Sequence, residues 1–372
     1  MKIQSTKHVL LLGAGFTKNF GGLLADKMWY EIFNHEEIQS QPKIKKLMMN
    51  NFDYEEIYYS VLKESRDEEG KLLPSEFTDE EKAAIKVATK SAYIHIDENL
   101  RRHIIDHPRP THLHNVNNLI FNIRSQRQDY KFVKDGKTYR FSPDPKNKSF
   151  IFTLNQDLFF ERLYPNNANA ELSIPGINND PDWFTTNFNK PLEPSDYRIL
   201  PTEDELKLIK DSLLELGGYF LIKLHGSCNW ISSNGSDMDM MVIGKSKTEQ
   251  IQNEPLLKHY FEIFEEVLSQ DQCRLLIIGY GFGDKHINSI ISKAVTDHEL
   301  KIYILSTLSQ KELKKKLTGS ESSQDTVIIW EGISGMSTKV KEILVDTDYN
   351  LFENEHFYDT FFAKDYKHSY SM

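Results

Sequence analysis

Two cysteines, Cys228 and Cys273, are all that the 372 residues carry. That excludes a four-cysteine zinc module, leaves no disulfide framework to expect, and fits a reducing compartment. Long apolar runs are missing too: none approaches the ~20 residues that span a bilayer. Met1 to Lys7 is polar and has no apolar core of the signal-peptide kind. The expectation is a soluble, cytoplasmic protein without membrane attachment. An excess of basic charge is also absent: 45 Lys and Arg stand against 55 Asp and Glu, a formal net charge of −10. Strong direct nucleic-acid binding needs clustered cations to neutralise phosphates, so it is not expected. The one basic run, Lys311, Lys314, Lys315 and Lys316, reads as a solvated helix face.

What the chain does have is core material. Hydrophobic residues make up 39% and aromatics 12%, with 22 Phe and 17 Tyr, far from a disordered composition. His8 to Leu12 is a short apolar run that enters Gly13-Ala14-Gly15, a buried strand meeting a glycine turn. Further buried strands are expected at Phe150 to Leu154, Tyr219 to Leu224, Arg274 to Gly279 and Leu300 to Leu305. Helices are expected over Phe16 to Phe33, Pro255 to Gln270 and Asp284 to Val295, and Pro110 opens another through Ile120. Strand, helix, strand in the last third gives a parallel βαβ unit, so the fold class is α/β, a parallel sheet flanked by helices. Val327 to Trp330 is expected to add a final strand, and Tyr130 to Phe141 a hairpin turning at Asp135-Gly136. Residues 36–109 are polar, with Tyr54, Ile57, Tyr58, Val61 and Leu62 at helical spacing, and read as a helical insertion. Residues 165–205 read as a long irregular loop, and 346–372 as a tail without clear pattern.

Four segments at strand ends carry the chemistry. Gly13-Ala14-Gly15-Phe16-Thr17 places backbone N–H groups at a helix start, which suits a phosphate. A dinucleotide fingerprint would need a third glycine where Lys18 stands, so a plain tight turn also fits. Thr153-Leu154-Asn155-Gln156-Asp157 sits where open α/β sheets bind ligands. Asn155 offers both donor and acceptor to a ribose hydroxyl or a water, although Asn155 or Asp157 would equally cap a following helix. His225, in Leu224-His225-Gly226-Ser227, is a general-base candidate or a structural histidine. Gly279-Tyr280-Gly281-Phe282-Gly283-Asp284 follows a strand and opens a helix, a second backbone cradle in which Asp284 also suits the N-cap.

In order and chemistry these segments resemble the sirtuin family. The first matches its glycine-rich phosphate loop and the second its Thr-Gln-Asn-x-Asp signature, here with Leu154 at the second position and Gln156 at the fourth. Leu224 to Ser227 matches the segment of its catalytic histidine, and 274–284 its late nucleotide loop. Pro110-Thr111-x-x-His114 is similar to the helix before the Asn-Asp strand, which favours a structural role for His114 over a metal cluster of His103, His107, His112 and His114.

The resemblance implies a Rossmann-like catalytic domain formed by 1–35 and 110–345, with NAD as substrate. It implies catalytic Asn155, His225 and Asp157, and nucleotide contacts at Gly13, Ala14, Gly15, Phe16, Thr17, Gln156, Gly279, Gly281 and Asp284. The family's four-cysteine zinc module has no counterpart in Cys228 to Glu254, nor has its peptide-binding strand. That departure is similar to a zinc-less bacterial branch of antiviral effectors that hydrolyse NAD to nicotinamide and ADP-ribose. The branch implies a homo-oligomer and a sensor such as an Argonaute or a separately encoded HerA-like ATPase. An NAD-dependent protein deacylase, a non-catalytic NAD or ADP-ribose module, and a dehydrogenase are the competing expectations.

Overall fold

The computed structural model describes residues 3, 5, 7–63, 73–105, 115–116, 119–120, 123, 130–134, 137–141, 148–163, 172–177, 190–215, 219–234, 239–344 and 361. Its strands run β1 His8–Leu12, β2 Tyr130–Lys134, β3 Lys137–Phe141, β4 Ser149–Thr153, β5 Leu172–Ser173, β6 Arg198–Ile199, β7 Tyr219–Lys223, β8 Gly226–Ile231, β9 Asp239–Met241, β10 Arg274–Ile278, β11 Lys301–Leu305 and β12 Ile333–Ser337.

Seven of them form one parallel sheet in the order β12-β11-β10-β1-β4-β7-β5. The expected Rossmann-like α/β arrangement is what the chain adopts. The central strands are apolar on both faces because helices cover both, and β1 and β10 are buried along their whole length. Phe150, Phe152, Phe220 and Phe264 stack through the core between β4, β7 and the helix Pro255–Leu268. That helix buries Leu257, Phe261, Phe264 and Leu268, the face that its spacing predicts.

From β1 the chain moves to β4 on one side, whereas from β10 it moves to β11 on the other. Neighbouring loops that leave in opposite directions open a crevice at the carboxyl ends of β1 and β10, the switch point of such sheets.

The polar region after residue 35 is helical as expected: Glu36–Gln39, Pro42–Asn50, Tyr54–Leu62 and Asp79–Ile105. Asp53 starts the third of these, its carboxylate accepting from the N–H groups of Glu55 and Glu56 at 3.0 and 3.1 Å. The longest helix buries Ile85, Ala88, Ala92, Ile96 and Leu100, a stripe at three- and four-residue spacing. It is anchored by Asp97, which receives two hydrogen bonds from the Arg162 guanidinium at 2.9 and 2.7 Å.

Three elements differ from expectation. The helix expected over Phe16 to Phe33 is broken: a short helix Ala14–Thr17 and a tight turn Lys18–Phe20 end at Gly21, whose φ of +100° stops them, and a second helix runs Ala25–Asn34. The segment 165–205, expected as a loop, contributes the short strands β5 and β6. The third difference lies near the last strand. Val327 to Trp330 lies inside the helix Gln324–Glu331, and the last strand is β12 instead. Ser323 caps that helix by accepting from Thr326 N–H, and Thr326 and Ile329 alone are fully buried, three residues apart. A four-residue apolar run does not separate strand from helix by periodicity; the serine cap decides it here. The hairpin of β2 and β3 pairs antiparallel with Tyr130 opposite Phe141, as expected. The helix opened by Pro110 and the tail fall almost wholly outside the described residues, as do His107, His112 and His114. Among the described residues, no helix is long and apolar enough to cross a membrane.

Candidate active site

Strand register brings the chemistry-bearing segments together. Leu12 pairs with Ile278 on one side and with Thr153 on the other, and Thr153 pairs with Lys223. The four strands therefore end in one row, and the residues that follow emerge along one edge. Asn155 and His225 each stand two residues past the paired positions Thr153 and Lys223. Leu154 N–H donates to Leu12 O and Leu224 N–H to Thr153 O, both at 2.9 Å, so the register continues into the loops.

The two glycine loops pack on each other. Gly13 N–H donates to Ile278 O and Gly15 N–H to Gly279 O, both at 3.0 Å. Gly279 has φ +68°, and a Cβ there would lie 2.1 Å from Phe16 N. Glycine is required for backbone contact between the loops, before any ligand is considered. Since Phe16 N–H also donates to Gly13 O, the Ala14 N–H remains as a donor without a partner among the described residues. Phe16 itself turns away from the crevice. Its ring packs on Phe20, Phe159 and Phe160 in the core, so its expected nucleotide contact is not made by its side chain.

The segment after β4 is held from beneath. Lys223 is buried, and its ammonium donates to Asp157 O at 2.6 Å, Glu161 Oε1 at 2.7 Å and Ser227 Oγ at 2.8 Å. Cys228 N–H donates to Gln156 O at 2.9 Å. Asn155 Nδ2 donates to Gly13 O at 3.2 Å and Thr17 Oγ1 at 3.3 Å, which leaves Oδ1 for a ligand. The Gln156 side chain is spent on structure: it accepts from the Tyr93 hydroxyl and donates to Val242 O at 2.9 Å. Asp157 accepts from Phe159 N–H at 3.1 Å, the capping arrangement that its sequence context suggested. Burial pushes its carboxyl up to about 6, against the pull of Lys223, the Phe159 N–H and the Thr17 hydroxyl.

Across the crevice, His225 Nε2 lies 2.9 Å from His286 Nε2. Burial drives the His225 imidazole down to about 3, so it is neutral at physiological pH, and it shares a hydrogen bond with His286. Asp284 stands at the N-cap of the helix Lys285–His298, but its side chain caps nothing. Its carboxylate faces Lys247 Nζ at 2.8 Å instead. Burial works to raise that carboxyl; His225 and Lys247 overcome it and hold it below the usual range. Lys247 also meets Glu55 Oε2 at 2.7 Å.

These groups line one cleft of about 1190 Å³. The packed loops contribute Gly13, Ala14, Gly15, Thr17, Gly279, Gly281 and Asp284 to its lining, and Asn155, Gln156, Asp157 and His225 line it as well. Sequence reasoning did not name His286, Lys247, Glu55 or Tyr93, all of which reach the cleft. The Asp284-x-His286 spacing was a usable signal for the first. Glu55 and Tyr93 come from the helical region between β1 and β4, and nothing local marks them.

A parallel sheet with a glycine-lined cleft at its switch point is a nucleotide-binding α/β architecture. Residues 149–328 match the family model of the SIR2-like domain, a stretch that includes Asn155, Asp157, His225, Asp284 and His286. The match supports a sirtuin-like family for this chain, and SIR2-like domains are generally NAD-dependent enzymes. No curated protein matches the chain.

Proposed function

We propose that this protein binds NAD across the switch point and hydrolyses its nicotinamide–ribose bond, as an NAD glycohydrolase. The observation that carries the reading is the presence of Asn155 and His225 in one cleft, each two residues beyond register-paired strand positions. One offers a free amide oxygen and the other a neutral imidazole.

The dinucleotide would lie with its pyrophosphate over the Ala14 N–H and the lysines Lys285 and Lys316, which line the same cleft. The nicotinamide end would face Asn155, Asp157 and His225. Asn155 Oδ1 would orient a ribose hydroxyl or the attacking water, and Asp157 would accept from the carboxamide NH₂. The C1′–N bond breaks with its electron pair passing to the nicotinamide ring, which leaves as a neutral base. Water adds to C1′, and its proton passes to His225. With its imidazole held near 3, His225 is a weak base that accepts the proton only as the C–O bond forms, so fixed geometry supplies most of the acceleration.

In the cell this reaction suits an antiviral effector that depletes NAD when a partner triggers it, with a homo-oligomer and a separately encoded sensor or HerA-like ATPase as the expected assembly. Substrate-level NAD with no zinc module is the cofactor requirement that follows from the cysteine-poor segment after His225. Incubating the full chain with NAD and following nicotinamide and ADP-ribose tests the chemistry. Release by the wild type, lost in Asn155→Ala and in His225→Ala with folding retained, is expected. Full activity in either variant would remove that residue from the mechanism. Nucleotide binding without release, in the presence of the assembled partner, would make the protein a binding module.

A further inference from the structure

We propose that His225, His286 and Asp284 form a binding site for a divalent transition metal, with zinc as its best-suited occupant, and that the ion inhibits the enzyme by occupying the base. The ligand atoms of the three residues lie within 4.8 Å of one another. Two imidazole nitrogens with one carboxylate, and a further position open to solvent, is a donor set that zinc accepts. The open position here is the cleft, which all three residues line.

The geometry is close to what the ion needs. Tetrahedral ligands at Zn–N bonds of ~2.05 Å stand ~3.3 Å apart, so the two Nε2 atoms need to part by ~0.4 Å. His225 stands at the end of a buried strand, and the His286 ring rests against Phe261 with centroids 5.5 Å apart, so both rings have fixed supports. Beside the three ligands, carboxylates outnumber ammonium groups in direct contact, although Lys285 and Lys316 also line the cleft. Asp284 and Glu55 share a single ammonium, that of Lys247. Lys247 takes Asp284 Oδ1, and the carboxylate retains Oδ2 for the ion. In the metal-free protein the same two nitrogens share one hydrogen bond, and the ion replaces it with two stronger contacts.

The inhibitory part rests on the hydrolase reading, whereas the binding part does not. Zinc is titrated into chelator-treated full-length protein against a chromophoric zinc indicator. One zinc per chain at micromolar affinity or tighter is expected. His286→Ala, His286→Asn and His225→Ala should each weaken it by more than about 100-fold, with unchanged circular dichroism and thermal midpoint confirming the fold. His259→Ala, in a surface pair with Glu262, should leave it unchanged. No uptake by the wild type, or equal uptake in all variants, overturns the site. Zinc should also stop nicotinamide release, reversibly on chelation; zinc bound at this site without slowing release overturns the inhibition. A chain that takes up zinc as described but never releases nicotinamide would overturn the hydrolase reading and leave the metal site standing.

Discussion

Glu55 Oε2 lies 2.7 Å from Lys247 Nζ, and that contact ties the helical region between β1 and β4 to the wall that carries Asp284. Burial raises the Glu55 carboxyl, and Lys247 pulls against it without cancelling it. Glu55→Gln keeps the shape and removes the charge. It should lower stability to denaturant by roughly 1 kcal/mol, since the pair is only partly buried. It should also weaken NAD binding, because Lys247 then turns more fully to Asp284. An unchanged denaturation midpoint together with unchanged nucleotide affinity would show that the helical region closes the cleft without this tie.

The contact between the glycine loops gives a paired prediction. Gly279→Ala puts a methyl 2.1 Å from Phe16 N, against backbone that has nowhere to move. It should cost at least ~3 kcal/mol or abolish folding. Gly283→Ala, four residues on, meets nothing within 4 Å and should change stability by less than ~1 kcal/mol. Chemical denaturation of both variants checks it. Equal effects would mean that the loops are not packed as described.

Asp157 supplies a pH signature in catalysis. Its carboxyl titrates near 6, whereas the His225 imidazole is held near 3 and stays neutral throughout the working range. If ionised Asp157 holds the carboxamide, kcat/KM for nicotinamide release should rise with pH through about 6 and then level off. Asp157→Asn should flatten that limb at a lower plateau. A limb that persists in Asp157→Asn would belong to another group.

The same two groups act on stability in opposite directions. Asp157 is raised from 3.8 to about 6, so its contribution is full below 3.8 and is lost as pH rises through 6. His225 is lowered from 6.5 to about 3, so its contribution is present above 6.5 and is lost as pH falls toward 3. At pH 8 Asp157→Asn should therefore be more stable than wild type, by an amount on the order of 2 kcal/mol, and near pH 4 the advantage should vanish. Melting curves of the two proteins at both pH values decide it; an advantage that grows on acidification would contradict the assigned burial.

The buried pair of Asp97 and Arg162 should behave as a structural anchor. Asp97→Ala removes the carboxylate that both Arg162 and Arg101 meet and should cost ~3–5 kcal/mol, whereas Asp97→Asn, which keeps the shape, should cost less. A mild effect of Asp97→Ala in urea would place water at the pair.

Much of this was legible in the residues. Apolar runs of five to six residues at Leu10, Phe152, Ile222, Leu276 and Ile304 mark the buried parallel strands, and each does form one. The run at Val327 to Trp330 misled because its apolar residues are consecutive, and a serine cap turned it into a helix. Asn155, Asp157 and His225 were visible because their polar side chains directly follow such runs. Gln156 was visible for the same reason and Phe16 by its place after the glycine turn, yet one is committed to Tyr93 and Val242 and the other to the core.

By itself, the sequence determined the class of fold and the strand ends where polar groups must emerge, because hydrophobic pattern and glycine position are local properties. Only the tertiary structure decided which of those groups meet. Parallel register brought Asn155 and His225 to the same edge of the sheet, crossover on opposite sides of β1 and β10 opened the cleft, and residues 61 positions apart brought His286 to His225. Such contacts depend on the packing of whole elements, and no local pattern in the chain records them.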